Sequence, residues 1–343
     1  MATVVVPPVT PSPAEDADAL LKAFQGWGTD EQAVIAVLAH RDATQRKQIR
    51  LAYEENYNEN LIQRLQSELS GDLEARVLQI FINTPQELKL VKPKLVKYRA
   101  MYHWVLDPVE RQAVIANAAT KCIHEDYAVI VEIACTNSSS ELLAVKRTYH
   151  VLYKCSLEED VAARATGNLR SLLLALVSTY RYGGDEVNDA LAKSEAKILR
   201  ETVTNGETDH GELIRIVGTR SRAQLNATFN WFRDERGTSI TRATKALQHG
   251  ADPTGYSHAL RTAVRCISDA NKYFVKVLRN AMHKSGTDED SLTRVIVLHA
   301  EKDLKGIKDA FQKRTSVALE KAIGNDTSGD YKSFLMALLG SDI

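Results

Sequence analysis

The chain carries one segment twice, as FQGWGTDE at residues 24–31 and as MHKSGTDE at residues 282–289, an offset of 258 (282 − 24). In the first copy, Thr29 has the side chain of a helix N-cap, and Gln32 stands where it completes a capping box. Gly26 and Gly28 permit backbone angles that turn several carbonyl groups outward. The segment therefore predicts a loop that leads into a helix, and its recurrence predicts an internal repeat.

Further segments follow the same repeat. SGDL at residues 70–73 matches SGDY at residues 328–331, again at an offset of 258 (328 − 70), and TGNL at residues 166–169 is another copy. The loop threonines serve as markers, with Glu125 standing in for one, at positions 29, 125, 208 and 287; the steps between them are 96, 83 and 79 (125 − 29, 208 − 125 and 287 − 208). From Glu15 onward, apolar residues recur at three- and four-residue steps, and proline is rare. These patterns predict an all-α fold of four units.

The first step is too long, which predicts extra residues between the first and second units. We predict an N-terminal tail at 1–14, repeats at 15–78, 103–182, 183–267 and 268–343, and an insertion at 79–102. The insertion contains five basic residues and one acidic residue, a local charge of +4 (5 − 1). It is either a contact for an anionic partner or an exposed insertion.

Charge and cysteine content exclude some classes of protein. The chain has 44 basic and 44 acidic residues and a pI near 7.1, which disfavours nucleic-acid binding and binding through a polybasic surface. The four cysteines form no CxxC pair and indicate reduced thiols in a cytoplasmic protein. No run approaches the roughly 20 apolar residues of a membrane span, and the N-terminus lacks the features of a signal peptide.

Four helical units, with a GxGT loop in the first and a modified copy in the last, resemble the annexins. SLEEDV at residues 156–161 and GGDEVN at residues 183–188 are similar to the plant branch of that family. The resemblance covers residues 15–340 apart from 79–102. It implies units of about five helices each that form a slightly curved disc. It also implies a non-enzymatic protein that binds anionic phospholipid, at the plasma membrane or endomembranes, when calcium rises.

One acidic residue follows each loop threonine at the same distance, since Glu68 follows Thr29 and Asp326 follows Thr287 by an equal step of 39 (68 − 29 and 326 − 287). Calcium takes six to eight oxygen ligands from carbonyls, carboxylates and water. Carried over by position, the resemblance implies two Ca²⁺ sites with these acids as the carboxylates. Their carbonyl ligands would be those of Phe24, Gly26 and Gly28 in the first unit and of Met282, Lys284 and Gly286 in the fourth.

Two features qualify these sites. Lys284 stands where the family pattern has a glycine, so it restricts the backbone and adds a cation near the ion. Each site has one carboxylate and is expected to be weak until lipid phosphate completes the coordination. Trp27, at the tip of the first loop, would then contact the membrane interface, where tryptophan is favoured; the alternative is packing on helix ends.

The middle units depart further from the pattern. In the second unit the loop reads CIHE at residues 122–125, and Arg164 stands at the position of the carboxylate, so we expect no calcium there. In the third unit Glu207 replaces the second glycine and Leu247 falls at the acidic position. Asp252 is an alternative acid there if a short insertion precedes it.

Other motifs carry weaker functional readings. His40 lies where a peroxidase-like activity has been suggested among plant annexins, but a helix-end histidine that forms hydrogen bonds is our interpretation. Cys135 and Cys266 match cysteines discussed there as redox-sensitive, and core packing is the alternative. Ile214-Arg215-Ile216 resembles a proposed actin contact, which we interpret as core packing with one exposed arginine.

Two other functional classes stay open. The first is a peroxidase-like enzyme, a nucleotide hydrolase or a calcium-permeable channel on the same fold. DLKG at residues 303–306 resembles part of a nucleotide switch, but the sequence contains no Gly-Lys dipeptide and hence no P-loop. The second is a helical-repeat adaptor without a working metal site. The equal spacing of the two acids favours the calcium site over the adaptor, and the oligomeric state stays open.

Overall fold

The computed structural model describes residues 1–25, 29–70, 99–121, 127–178, 181–205, 210–245, 255–282 and 286–341. These residues form α-helices joined by short loops and contain no β-strand. The helices are Pro13–Phe24, Glu31–Leu38, Ala43–Tyr57, Leu61–Ser70, Pro108–Lys121, Tyr127–Thr136, Ser139–Tyr153, Leu157–Arg164, Gly167–Val177, Asp189–Asn205, Gly211–Thr219, Arg222–Arg236, Ile240–Ala243, Tyr256–Met282, Glu289–His299, Leu304–Thr315, Leu319–Asp326 and Gly329–Leu338. Residues 99–105 are also helical. The predicted all-α class is confirmed.

A left-handed residue at the end of a helix recurs once in each of the four repeats. A long helix in each repeat ends at a residue in the left-handed region, at Asn58, Lys154, Gly237 and Ser316, with φ of 50°, 60°, 67° and 60°. Their spacings of 96, 83 and 79 (154 − 58, 237 − 154 and 316 − 237) equal the spacings of the loop markers. The predicted repeat is therefore present in the backbone, where the left-handed residue ends the helix and turns the chain.

Helix starts follow local sequence signals. Ser12 caps the first helix in a reciprocal box with Glu15, and Pro13 occupies the first turn, where its missing N–H is tolerated. Capping boxes of the same kind begin the helices at Ala43, Ser139 and Leu157. The first helix thus begins two residues before Glu15, the point from which the sequence predicts helix.

Contacts divide the chain into two compact units. The first unit joins residues 1–111 to residues 274–343, and the second unit comprises residues 112–273. In terms of the predicted repeats, the first unit contains all of the first and most of the fourth, and the second unit contains most of the second and all of the third. The helix Tyr256–Met282 is kinked at Asp269, whose φ of −161° and ψ of 92° are not helical.

Trp104 lies at the centre of the first unit. Its side chain is fully buried, and its Nε1 donates to the Leu38 carbonyl at 2.7 Å. The guanidinium carbons of Arg46 and Arg111 lie 4.0 and 4.6 Å from its ring centroid. Arg111 donates to the Val297 carbonyl at 2.8 Å, and burial together with Arg46 lowers the pKa of Arg111 to about 9. These contacts join the first and last parts of the chain.

Most of the predicted insertion at 79–102 lies outside the described residues, with all its charges except Arg99. Its last four residues are helical, and Ala100 and Met101 are buried. Arg99 forms a 2.6 Å ion pair with Asp290. The end of this segment is therefore part of the first unit's packing, and the repeat boundaries stay predictions.

In the second unit, two helices approach closely at a glycine. A Cβ on Gly218 would lie 2.8 Å from the Cβ of Ala175, so the helices Gly211–Thr219 and Gly167–Val177 need a residue without a side chain at this point. Elsewhere in this unit, the buried Tyr273 hydroxyl donates to Glu132 at 2.7 Å. The absence of a side chain at Gly218 therefore permits the close approach of the two helices.

The N-terminal residues pack on the first unit. The Thr3 amide donates to the Ala300 carbonyl at 2.8 Å, and its hydroxyl donates to the Leu338 carbonyl at 2.6 Å. The Lys305 amide donates to the Met1 carbonyl at 3.2 Å. The predicted tail at 1–14 is thus held by backbone contacts, and its last two residues belong to the first helix. Across the described ranges, every helix is too short or too polar to cross a membrane.

Candidate metal centres

The two glycine loops close in the same way. The Asp30 amide donates to the Ala23 carbonyl at 2.8 Å, and the Asp288 amide donates to the Ala281 carbonyl at 2.8 Å. Both pairs lie at the predicted repeat offset (288 − 30 and 281 − 23 are both 258). In both the first and the fourth repeats, the residue after the loop threonine is thus hydrogen-bonded to the end of the preceding helix.

An aspartate is the N-cap of the helix that follows each loop. The Asp30 carboxylate accepts from the Ala33 amide at 3.1 Å, and the Asp288 carboxylate accepts from the Ser291 amide at 3.1 Å. The prediction that Thr29 is the N-cap, with Gln32 completing the box, is therefore wrong by one residue. The Gln32 side chain instead donates to Asp330 at 2.6 Å. Aspartate can take the cap because its oxygen reaches the same amide.

In the fourth repeat, Thr287 uses its hydroxyl for another contact. That hydroxyl lies 2.7 Å from the Asp326 Oδ2 atom and 3.0 Å from the Asp326 backbone carbonyl. Asp326 is the last residue of the helix Leu319–Asp326 and is half-buried. The structure thus joins the loop to the acid that the equal spacing singles out.

Gly286 gives this loop its shape. Its φ is 108°, in the region that favours glycine, and a Cβ built there would meet no atom within 4 Å. The requirement for glycine is therefore one of backbone conformation and not of space. Met282 is the last residue of its helix, and Lys284 lies outside the described residues.

In the first repeat, the described part of the loop shows a feature that the sequence did not predict. The Phe24 carbonyl, a predicted calcium ligand, accepts from Arg64 Nη2 at 3.1 Å. Gly26, Trp27 and Gly28 lie outside the described residues. Glu68 has a helical backbone in Leu61–Ser70, and its side chain is also outside what the structure describes.

The donor chemistry of the loops fits a hard cation. Within the described ranges, no group of three His, Cys, Asp or Glu side chains is placed to hold a metal ion. In the fourth repeat, Thr287 instead joins the carboxylate of Asp326 to the glycine loop, whose other oxygen donors are backbone carbonyls. Carbonyl and carboxylate oxygens are the ligands of calcium, whereas zinc and copper favour nitrogen and sulfur.

The second repeat places a cation at the corresponding position. Arg164 ends the helix Leu157–Arg164, just as Asp326 ends the helix Leu319–Asp326, and each is followed by a glycine at positive φ, Gly167 or Gly329. Arg164 is exposed. The loop at 122–125, and Glu207, Leu247 and Asp252 of the third repeat, lie outside the described residues.

The other motifs have structural roles. Cys135 and Cys266 are buried, as the packing interpretation predicts, and burial raises the pKa of the Cys135 thiol to about 11. Ile214 and Ile216 are buried while Arg215 is exposed and pairs with a neighbouring glutamate, so that interpretation is also confirmed.

His40 and the DLKG segment also have local structural explanations. The His40 Nδ1 lies 3.4 Å from the Val5 carbonyl, so this ring follows the end of a helix and contacts the tail, in line with our interpretation. Asp303, the first residue of the DLKG segment, lies 2.5 Å from the His299 ring and precedes the helix Leu304–Thr315. These contacts account for both segments as parts of the helical packing.

Comparison with known proteins gives consistent matches along the chain. A family model described as Annexin matches residues 15–80, 111–176, 194–250 and 273–338. The chain is 50% identical over 342 residues to Annexin-like protein RJ4 of Fragaria ananassa, with all of both chains covered. It is 47% identical to Annexin D6 of Arabidopsis thaliana, over all of this chain and 99% of that one. The solved structure of chicken annexin V in complex with Zn²⁺ matches with a TM-score of 0.84 at 28% identity, over 99% of each chain.

Proposed function

The chain belongs to the plant branch of the annexin family, and we propose that it binds anionic phospholipid membranes in a calcium-dependent manner, without enzymatic activity of its own. The observation that carries this proposal is the contact between Thr287 and Asp326, which brings a carboxylate from a later helix end to the glycine loop. A structural turn alone would not explain why an acid follows both loop threonines at the same distance.

Two ligand sets would hold calcium. In the fourth repeat they are the carbonyls of Met282, Lys284 and Gly286 with the carboxylate of Asp326. In the first repeat they are the carbonyls of Phe24, Gly26 and Gly28 with the carboxylate of Glu68. The ligand set of the first repeat is supported by the shared loop closure at Asp30 and by the equal spacing of the acids. We propose no site in the second repeat, because Arg164 takes the position of the acid there.

The even balance of charge in the chain explains why membrane binding would need calcium. With 44 basic and 44 acidic residues, the protein has no excess positive charge to attract an anionic surface. When bound, calcium supplies that charge and bridges the loop oxygens to lipid phosphate. Trp27 would contact the interfacial region of the lipid from the tip of the first loop. We propose that the protein is cytoplasmic and becomes peripheral at the plasma membrane or endomembranes when calcium rises.

Co-sedimentation with phosphatidylserine vesicles tests this proposal. The unsubstituted protein is expected to sediment with vesicles in calcium and to stay in the supernatant in EGTA. The Glu68→Gln/Asp326→Asn protein is expected to lose calcium-dependent sedimentation, because amide oxygens keep the shape of the ligands and remove their charge. If the double variant still sediments in a calcium-dependent way, our ligand assignment is wrong.

A charge-matched control separates the ligand role from a general effect. Glu54 and Asp309 are exposed acids of the first unit, far from both loops in the sequence. The Glu54→Gln/Asp309→Asn protein carries the same change in net charge and is expected to bind vesicles like the unsubstituted protein. Vesicles of phosphatidylcholine alone are expected to capture neither protein.

A further inference from the structure

Arg64 contacts the first glycine loop from the helix Leu61–Ser70. Its Nη2 atom donates to the Phe24 carbonyl at 3.1 Å, and its guanidinium carbon lies 5.9 Å from the centre of the Phe24 ring. The Phe24 carbonyl is one of the oxygens that the proposed function assigns to calcium. A positive side chain therefore already occupies one side of a calcium ligand.

Two neighbours hold Arg64 in this place. Its Nη1 lies 3.6 Å from Glu59 Oε1, and the Tyr53 hydroxyl donates to the other oxygen of Glu59 at 3.1 Å. The Tyr53 ring in turn meets the Phe24 ring edge-on, with centroids 6.4 Å apart. The carboxylate and the phenol thus orient the guanidinium toward the loop.

The fourth repeat has none of these polar groups at the matching positions. At the repeat offset of 258, Phe311 replaces the tyrosine, Val317 replaces the glutamate and Ala322 replaces the arginine. The Ala322 side chain is half-buried and carries no charge. The two loops therefore have the same closure and different electrostatic surroundings.

We propose that Arg64 sets the calcium requirement of the first loop, so that this loop needs a higher calcium concentration than its carbonyl and carboxylate ligands alone would give it. An ion that binds the Phe24 oxygen lies about 2.4 Å from it, and hence no more than about 5.5 Å from Nη2 unless the arginine moves. Repulsion between a divalent ion and a guanidinium at that distance lowers affinity by about tenfold at moderate salt. Moving the arginine away instead breaks its contacts with Phe24 and Glu59, which also opposes binding.

This inference rests on the proposed function, and its test isolates the first loop. In a background of Asp326→Asn, which removes the fourth-loop acid, calcium is titrated with phosphatidylserine vesicles and the concentration for half-sedimentation is measured. Arg64→Ala is expected to lower that concentration by about tenfold. Arg64→Gln, which keeps an amide donor for the Phe24 carbonyl, is expected to lower it as well and covers the case in which the alanine variant does not fold. Arg215→Ala, which removes an exposed arginine paired with Glu212 in the other unit, is expected to have no effect.

The reverse change tests the same idea in the fourth loop. In a Glu68→Gln background, Val317→Glu/Ala322→Arg introduces the pair at the matching positions of the fourth repeat and is expected to raise the calcium requirement. A second readout without lipid, the calcium-dependent rise in the thermal unfolding midpoint, is expected to follow the same order of variants.

Three results would overturn the inference. An unchanged calcium requirement in both Arg64 variants would show that the guanidinium does not oppose the ion. If the Arg64 variants need more calcium to bind vesicles, Arg64 contacts lipid phosphate directly instead of opposing the ion. An unsubstituted protein without any calcium dependence would remove the proposed function together with the inference, which distinguishes that failure from the first two.

Discussion

In the first and fourth repeats, the loop before the second helix closes with the same 2.8 Å hydrogen bond, from Asp30 to Ala23 and from Asp288 to Ala281. The residues around the closed loops differ. The fourth loop carries Lys284 within its own sequence, and Ala322 stands at the position that matches Arg64, whereas the first loop has glycines at 26 and 28 and accepts a hydrogen bond from Arg64.

Each repeat thus supplies a positive residue to its loop or to the helix beside it: Lys284 belongs to the sequence of the fourth loop, and Arg64 contacts the first loop from the helix Leu61–Ser70. From sequence alone, the first loop is the more intact of the two because it keeps both glycines. The structure adds a cation to that loop from the helix Leu61–Ser70. The completeness of a loop motif therefore does not by itself rank the affinity of the two sites.

The largest effect within the fourth loop is expected from Gly286→Ala. Because φ is 108° at this position, a Cβ is expected to destabilise the loop by about 1–2 kcal/mol. The measurement is the midpoint of thermal unfolding, with Gly183→Ala as a control, since that exposed glycine lacks a positive φ and also has nothing within 4 Å. Equal midpoints for the two variants would show that the fourth loop does not need its glycine.

A smaller effect is expected from Thr287→Val, which removes the hydroxyl that contacts Asp326 and keeps the shape of the side chain. A typical hydrogen bond contributes about 1 kcal/mol, so loss of this contact is expected to raise the calcium requirement about fivefold. The measurement is vesicle sedimentation in a Glu68→Gln background. Thr315→Val, which removes a hydroxyl that donates to the Phe311 carbonyl, is the matched control. If both threonine variants behave alike, Thr287 does not orient the acid.

The smallest effect is expected from replacing Lys284 in the same background. The interaction of one side-chain charge with an ion through water is worth less than about 1 kcal/mol, so Lys284→Gln is expected to lower the calcium requirement about twofold, with a smaller difference at high salt. Lys284→Gly removes the same charge and also introduces a glycine at the position that matches Gly26 of the first loop. A difference between the two variants would separate the effect of charge from that of backbone freedom, and a raised requirement in both would contradict a repulsive role for the lysine.

Much of the fold could be predicted because the relevant signals are local or repeated. The three- and four-residue spacing of apolar residues identified helices, and the recurrence of the GTDE and SGD segments gave the repeat offset. The left-handed residues at Asn58, Lys154, Gly237 and Ser316 reproduce the predicted steps between repeats. The equal spacing of the two acids from their loop threonines identifies Asp326 as the acid that belongs with Thr287.

The details that sequence reasoning missed depend on choices between near-equivalent groups. Thr29 and Asp30 are adjacent and both are good N-caps, so the sequence did not show that aspartate takes this role. In the fourth repeat, the matching threonine contacts Asp326 instead. Residue preferences for the N-cap do not show which side chain caps the helix and which contacts another residue. Each arrangement places a side-chain oxygen near a polar partner.

Arg64 was missed for a different reason. Its contact with Phe24 joins two distant positions of the first repeat, and the matching positions of the fourth repeat hold Ala322 and Met282. A comparison that searches for what repeats cannot detect a feature present in one copy only. The difference between copies, Tyr53, Glu59 and Arg64 against three apolar residues, was available in the sequence as a signal of divergence.

The discontinuity of the first unit has a consequence for biosynthesis. Residues 112–273 leave the ribosome as one continuous stretch, whereas residues 1–111 belong with residues 274–343. At about 5–20 residues per second, the start of that last segment appears roughly 8–32 s after residue 111. Until then the buried Arg46 lacks Glu301, and Arg111 lacks the Val297 carbonyl. The unit whose residues are translated first is therefore completed last, after the whole of the other unit has been made.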